Sequence, residues 1–191
     1  KDGKSAGTMY GQKGTTVKFE DISDNIKNAV VATEDRTFYK NSGINIKRTI
    51  LAVMTLGKFG GGSTITQQLA KNAYLTQKQT VDRKAKELFL ALEINKKYEK
   101  NDILTMYLNN SYFGNGIWGI QDASLKYYGK SAKDISVEQA ATLVGILKWP
   151  EAYNPLYKEG KFAKDRRDTV LQNMVNTKYI TQDVATAGMQ V

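Results

Sequence analysis

The chain has 191 residues, with 28 Lys and Arg against 19 Asp and Glu, a formal net charge of +9, and neither cysteine nor histidine. That composition excludes disulfide frameworks, thiol nucleophiles, cysteine metal sites, His-based triads, HExxH zinc centres and any imidazole acid or base. Hydrophobic residues at 41% and charged residues at 25% describe a globular chain, long enough to bury a core without covalent staples. Proton transfer is left to Asp, Glu, Lys or Tyr. The positive excess predicts an anionic partner, whether nucleic acid, an anionic membrane surface or a phosphorylated substrate.

Residues 1–21 are rich in Gly, Lys and Thr and read as a loop with one or two edge strands around Thr15–Phe19. The two prolines, Pro150 and Pro155, leave residues 22–149 uninterrupted, and helical spacing dominates there. Ile26, Ala29, Val30 and Thr33 predict a helix over Ile22–Thr33. Gly43–Gly62 mixes apolar and basic residues, ends in a glycine run and reads as irregular and mobile. Thr64 and Gln67 form a capping box that opens a helix over Thr64–Tyr74. A longer helix is expected over Asp82–Tyr98, and another over Asn101–Asn110 with Asn101 as N-cap. Ser111–Gly119 reads as an aromatic, glycine-rich loop. Ser136 and Gln139 make a second capping box, for a helix reaching about Lys148. Lys161–Tyr179 is the last long helix, and Thr181 caps a short one. The fold expected is mainly α. No run approaches the ~20 apolar residues that span a bilayer; the longest, Thr49–Leu56, is far shorter.

Charge is uneven along the chain. From Arg36 to Val81 there is no Asp or Glu, yet the stretch holds Arg36, Lys40, Lys47, Arg48, Lys58, Lys71 and Lys78. A solvated basic face is the plain reading. The same stretch contains apolar Ile44–Phe59, and basic, apolar and glycine-rich character together suit a flap on an anionic lipid surface. Gly60–Thr64 leads into a helix whose first N–H groups can attract an anion, although Walker A spacing is not met. In the helix over 82–98, Ala85, Leu88, Phe89 and Leu92 predict the core stripe. Leu90 and Ile94 share the other side with Arg83 and Glu87, so this helix is expected between two layers. Its charged pair then lines a cleft or forms an internal ion pair. Glu34 and Asp35 stand at the C-terminal end of the first helix, where the macrodipole disfavours carboxylates; two acids at a frayed end and a functional acid are both open readings.

Five segments in order resemble the motifs of glycosyltransferase family 51, the peptidoglycan glycosyltransferases. They are Glu34–Gly43, Gly61–Gln68, Arg83–Glu87, Lys100–Asn109 and Arg166–Leu171, and Asn41 stands where the family usually has His. The resemblance covers roughly residues 20–180. It implies a lysozyme-like head lobe with a small membrane-apposed jaw lobe, one glycosyltransferase domain over 1–191, and a mobile jaw segment at about 43–62. It implies polymerisation of lipid II into β-1,4-linked glycan, with inversion at the donor anomeric carbon and release of undecaprenyl pyrophosphate. Glu34 is then the general base. Glu87 is the second carboxylate, orienting cations or a metal at the diphosphate. Ser63, Gln68, Lys71, Arg83, Lys84 and Asn109 are the substrate-binding candidates. No cofactor is required, though a divalent ion, Mg or Mn, fits the chemistry of a diphosphate. An ordinary glutamate titrates near ~4.3, so a base at this position calls for burial to raise it. Residues 44–59 would meet the membrane on the outer face of the bacterial cytoplasmic membrane. Pro150–Pro155 resembles a segment of bifunctional class A penicillin-binding proteins, which implies a C-terminal transpeptidase domain outside this chain, and the family expectation places an anchor before residue 1.

Two other functions compete. A lysozyme-like glycan hydrolase shares the helical fold and the essential glutamate, but needs no long acid-free basic stretch. A helical nucleic-acid module would align its cations on a groove-reading helix. Here the cations lie in an apolar, glycine-rich stretch, so no nucleic-acid partner is expected.

Overall fold

A computed structural model describes residues 14–55, 62–73 and 81–191. The expected loop over 1–13, residues 56–59 of the apolar stretch, Gly60 and Gly61 of the glycine run, and Tyr74 lie outside the described residues. Among the described residues there are nine α-helices and no strand: α1 Asp24–Glu34, α2 Ile46–Met54, α3 Ile65–Asn72, α4 Val81–Lys97, α5 Lys100–Asn110, α6 Ile120–Tyr128, α7 Val137–Ile146, α8 Lys161–Asn176 and α9 Gln182–Met189. The mainly helical fold expected from the sequence is the fold observed. The described residues divide into two compact units, one drawn from residues 37–107, the other from residues 14–36 and 108–191.

The second unit is built on α7. Its residues 140–146 are all buried, as expected of a helix apolar on every side. α1 and α8 pack on it and on each other, and α9 closes over α8. Gly145 lets α8 approach: a Cβ there would sit 2.8 Å from Cγ of Arg166. α1 starts at Ser23, whose Oγ accepts from the Asn25 amide at 3.2 Å and donates to the Ile135 carbonyl at 2.9 Å. Its buried face is Ile26, Ala29, Val30, Val31 and Ala32. Lys27 joins them by pairing with Asp24 at 3.1 Å and resting 3.7 Å from the Phe19 ring centroid. In α8, Arg167 is buried and donates to the carbonyls of Met189 and Val191 at 3.0 and 2.8 Å. These are orphan carbonyls at the end of α9, and a cation there also suits the helix dipole.

No strand forms over Thr15–Phe19. Residues 19–21 are a single 3₁₀ turn. Val17 instead pairs with a side chain: its N–H donates to Asn109 Oδ1 at 3.1 Å and its carbonyl accepts from Asn109 Nδ2 at 2.9 Å. One amide thus gives the extended segment both bonds that a neighbouring strand would give.

In the first unit, α3 and α4 pack together. Both arms of the α3 capping box are present: Thr64 N–H donates to Gln67 Oε1 at 2.8 Å, and Gln67 N–H donates to Thr64 Oγ1 at 3.0 Å. Such a cap stabilises a helix by about 1 kcal/mol. α4 corrects the sequence reading. Its buried residues are Glu87, Ala91 and Ile94, spaced four and three apart, whereas Ala85 is exposed and Phe89 is 69% exposed. Apolar residues lie all round this helix, so periodicity alone did not choose the face that packs against the rest of the unit. The stretch Gly43–Gly62 is also more regular than expected, because α2 occupies its centre. Asn45 caps α2, its Oδ1 accepting from the Arg48 amide at 3.1 Å. α5 begins at Lys100, so Asn101 lies inside its first turn rather than at the cap.

Candidate active site

Ser63, Gln68, Lys71, Arg83, Lys84 and Glu87 all belong to the first unit, and Ser63, Lys84 and Glu87 meet beside the start of α3. Gly62 has φ of +113°, a conformation that glycine adopts without strain. Ser63 follows it, half-buried, directly before the cap Thr64. Lys84, in the first half of α4, donates from Nζ to Ser63 Oγ at 3.3 Å and lies 3.8 Å from Glu87 Oε2. Gln68 is held at both ends of its amide. Its Nε2 donates to the Ser63 carbonyl at 3.3 Å, and its Oε1 accepts from the Tyr107 hydroxyl at 2.9 Å. Lys71 sits in the last turn of α3 and Arg83 in the first turn of α4, each half-buried.

Glu87 is the exceptional group. Its side chain is 2% exposed, and Oε1 is buried without a hydrogen-bond partner among the described residues. A carboxylate removed from water and given one cation at 3.8 Å is costly on its own. Buried oxygens of this kind are uncommon and mark places where a ligand, water or ion completes the set. Two more residues belong to this neighbourhood that the sequence reading did not assign to it. Arg48, from α2, brings Nη1 to 3.1 Å from where a Cβ on Gly62 would stand. Tyr107, from α5, fixes the Gln68 amide. Both lay inside segments already singled out, the acid-free basic stretch and the fourth motif, but nothing local in the sequence indicated their partners.

Glu34 and Asn109 belong to the second unit. Glu34 is the last residue of α1 and is half-buried. The end of α1 is not frayed: Arg36 folds back, donating from Nε to the Ala32 carbonyl and from Nη2 to Asn173 Oδ1, each at 3.2 Å. Asp35, the C-cap, is buried. The cation of Arg36 offsets the dipole that would otherwise oppose two carboxylates there. Asn109 is 7% exposed, and both ends of its amide are taken by Val17.

The family profile described as Transglycosylase matches residues 2–175. The chain is 63% identical, over 98% of its length, to penicillin-binding protein 2a of Streptococcus pneumoniae, and 41% identical, over 94%, to penicillin-binding protein 1F of Bacillus subtilis. It spans about a quarter of those relatives, 26% of each. A crystal structure of penicillin-binding protein 1A from Haemophilus influenzae superposes with a TM-score of 0.56 at 21% identity, covering 95% of this chain and 18% of that one. The chain belongs to the transglycosylase family, the peptidoglycan glycosyltransferases found in penicillin-binding proteins.

A double-mutant cycle tests the Lys84–Glu87 contact. Lys84→Met leaves the buried carboxylate without its cation and is expected to lower unfolding stability by about 1 kcal/mol, a value discounted because Lys84 is 46% exposed. In a Glu87→Gln background the same change should cost next to nothing. Equal losses in the two backgrounds, read from urea titrations, would show that the pair is not coupled.

Proposed function

We propose that this chain polymerises lipid II into β-1,4-linked glycan strands, inverting the donor anomeric carbon and releasing undecaprenyl pyrophosphate. The observation that carries the reading is the cluster of Ser63, Lys84 and buried Glu87 at the capped start of α3. A diphosphate leaving group concentrates negative charge, and fixed donors and cations that await it lower the barrier without reorganising. Lys84 and Ser63 are joined by a hydrogen bond, and Arg48, Arg83 and Lys71 lie on the same helices or beside Gly62.

Glu34 takes the role of general base, following its position in the first motif. Its carboxylate accepts the proton of the acceptor N-acetylglucosamine 4-hydroxyl. That oxygen attacks C1 of the donor N-acetylmuramic acid from the face opposite the diphosphate. The C1–O bond breaks, and its electron pair leaves with the diphosphate. Glu34 is half-buried and sits at the end of a helix, which holds its carboxylate in one place for proton transfer. Gln68 and Asn109 enter this reading as residues that shape substrate contacts, held by Tyr107 and Val17 respectively.

A divalent ion would find one protein ligand here, Glu87 Oε1. No cluster of three or more acidic residues is present among the described residues. That donor set fits a magnesium-like ion held mainly by diphosphate oxygens and water, supplying charge neutralisation at the leaving group.

α2 supports membrane contact. None of its residues is buried, and Ile46, Ile50, Leu51, Val53 and Met54 are exposed, the last two at 72% and 76%. With Lys47 and Arg48 beside them, this is a basic, apolar surface of the kind that settles on anionic lipid. No helix among the described residues is long and apolar enough to cross a membrane, so this contact is peripheral. We place the chain at the outer face of the bacterial cytoplasmic membrane, working on lipid II and the growing strand, with a transpeptidase domain elsewhere in the whole protein.

Glu34→Gln is expected to abolish polymer formation from lipid II, by at least ~100-fold as for loss of a general base, while circular dichroism and lipid II binding stay near wild type. Retained turnover would remove Glu34 from the role, and shortening of finished glycan strands without polymer from lipid II would favour the hydrolase reading. Replacing Ile50, Val53 and Met54 together by Ser should reduce sedimentation with phosphatidylglycerol vesicles by at least ~10-fold, given ~1.5 kcal/mol or more per large side chain transferred. Unchanged sedimentation would remove α2 as the contact.

A further inference from the structure

A chain of polar contacts runs through the first unit and ends on the Ser63–Lys84–Glu87 cluster. It begins at Lys100, the first residue of α5. Its Nζ donates to the Asn41 carbonyl at 2.8 Å and to Asn41 Oδ1 at 3.2 Å. The same ammonium lies 4.9 Å from the centroid of the buried Phe38 ring. Asn41 Oδ1 also accepts from the Gly43 amide at 3.0 Å, and Asn41 Nδ2 donates to Thr37 Oγ1 at 3.3 Å. Gly43 is pressed against α4: φ is +95°, and a Cβ would stand 2.7 Å from the Ala91 carbonyl. Its own carbonyl accepts from Thr64 Oγ1 at 2.6 Å, a buried bond. Thr64 is the α3 cap, and its neighbour Ser63 receives Lys84, which faces Glu87.

We propose that Lys100 is a positioning residue: by clamping loop 37–43 it fixes the capped start of α3 against α4, and so sets the spacing of Ser63, Lys84 and Glu87. The physical basis is that Lys100 makes charge-assisted hydrogen bonds to a backbone carbonyl and to a side chain of one residue, and a cation–π contact to the residue three before it. Thr64 Oγ1 then carries the loop's position to the α3 cap, because it donates to Gly43 while accepting from Gln67. The cluster's geometry is sensitive to this, since displacements near 1 Å in a site cost on the order of 100-fold in rate. The catalytic consequence rests on reading that cluster as the diphosphate site; the clamp itself does not.

The experiment pairs Lys100→Met with Lys100→Arg in this chain and reads amide hydrogen exchange together with lipid II kinetics. Lys100→Met should speed exchange at 37–43 and at the α3 start, 63–67, while α7 and α8 keep wild-type protection. It should lower kcat/KM for lipid II by about 10-fold or more, and Lys100→Arg, which keeps a cation and donors, should recover most of both effects. Wild-type exchange at 63–67 in Lys100→Met would overturn the proposal. So would faster exchange throughout the chain, or equal losses in the Met and Arg variants. If the wild-type chain makes no polymer from lipid II, the functional reading falls, and the exchange pattern alone still decides the clamp.

Discussion

The constraint on which the first unit turns is a carboxylate taken out of water. Glu87 occupies the inner face of α4 where an apolar residue would pack at no electrostatic cost, and one of its oxygens has no donor among the described residues. A lysine at 3.8 Å offsets part of that cost. An apolar residue of similar size is often neutral or stabilising in such a place, so packing alone does not account for Glu87. Near it stand a glycine of positive φ, a capped helix start, a serine hydroxyl and the Lys84 cation. Lys84, though partly in solvent, bridges this carboxylate and the Ser63 hydroxyl.

The second unit solves a different problem. Its core of α1, α7 and α8 is apolar, and the buried cations Lys27 and Arg167 each have a local partner. Lys27 is neutralised by Asp24 and shielded by Phe19. Arg167 satisfies the last carbonyls of α9. Arg36 turns back on α1 and ties it to α8 through Asn173. These contacts hold the end of α1, and with it the half-buried Glu34, on a rigid helix rather than on a loop.

Helix identity was largely legible in the sequence, because the signals that carry it are local. Thr64 with Gln67, and Thr181 before α9, announce their helices within one turn. The faces were less legible. In α4 apolar side chains lie on all sides, and a pattern that counts Glu87 as polar assigns the core to Phe89, which is exposed. α2 was hidden for the opposite reason: it has an apolar face but no buried residue, so it looked like part of a glycine-rich flap. α6 has modest amphipathicity and follows an aromatic loop, and it carried no cap signal. Among site residues, identity came from motif resemblance and linkage did not. Val17 and Asn109 are 92 residues apart, Lys100 and Asn41 are 59 apart, and neither pairing leaves a mark on local periodicity.

On the proposed reading, the start of α3 and the first half of α4 receive the diphosphate of the donor. A crystal structure of this chain with a lipid II analogue whose anomeric carbon cannot react tests it most directly. The account predicts diphosphate oxygens within hydrogen-bond distance of Ser63 Oγ and Lys84 Nζ. A diphosphate seated elsewhere, with Ser63 and Lys84 still bonded only to each other, would contradict it.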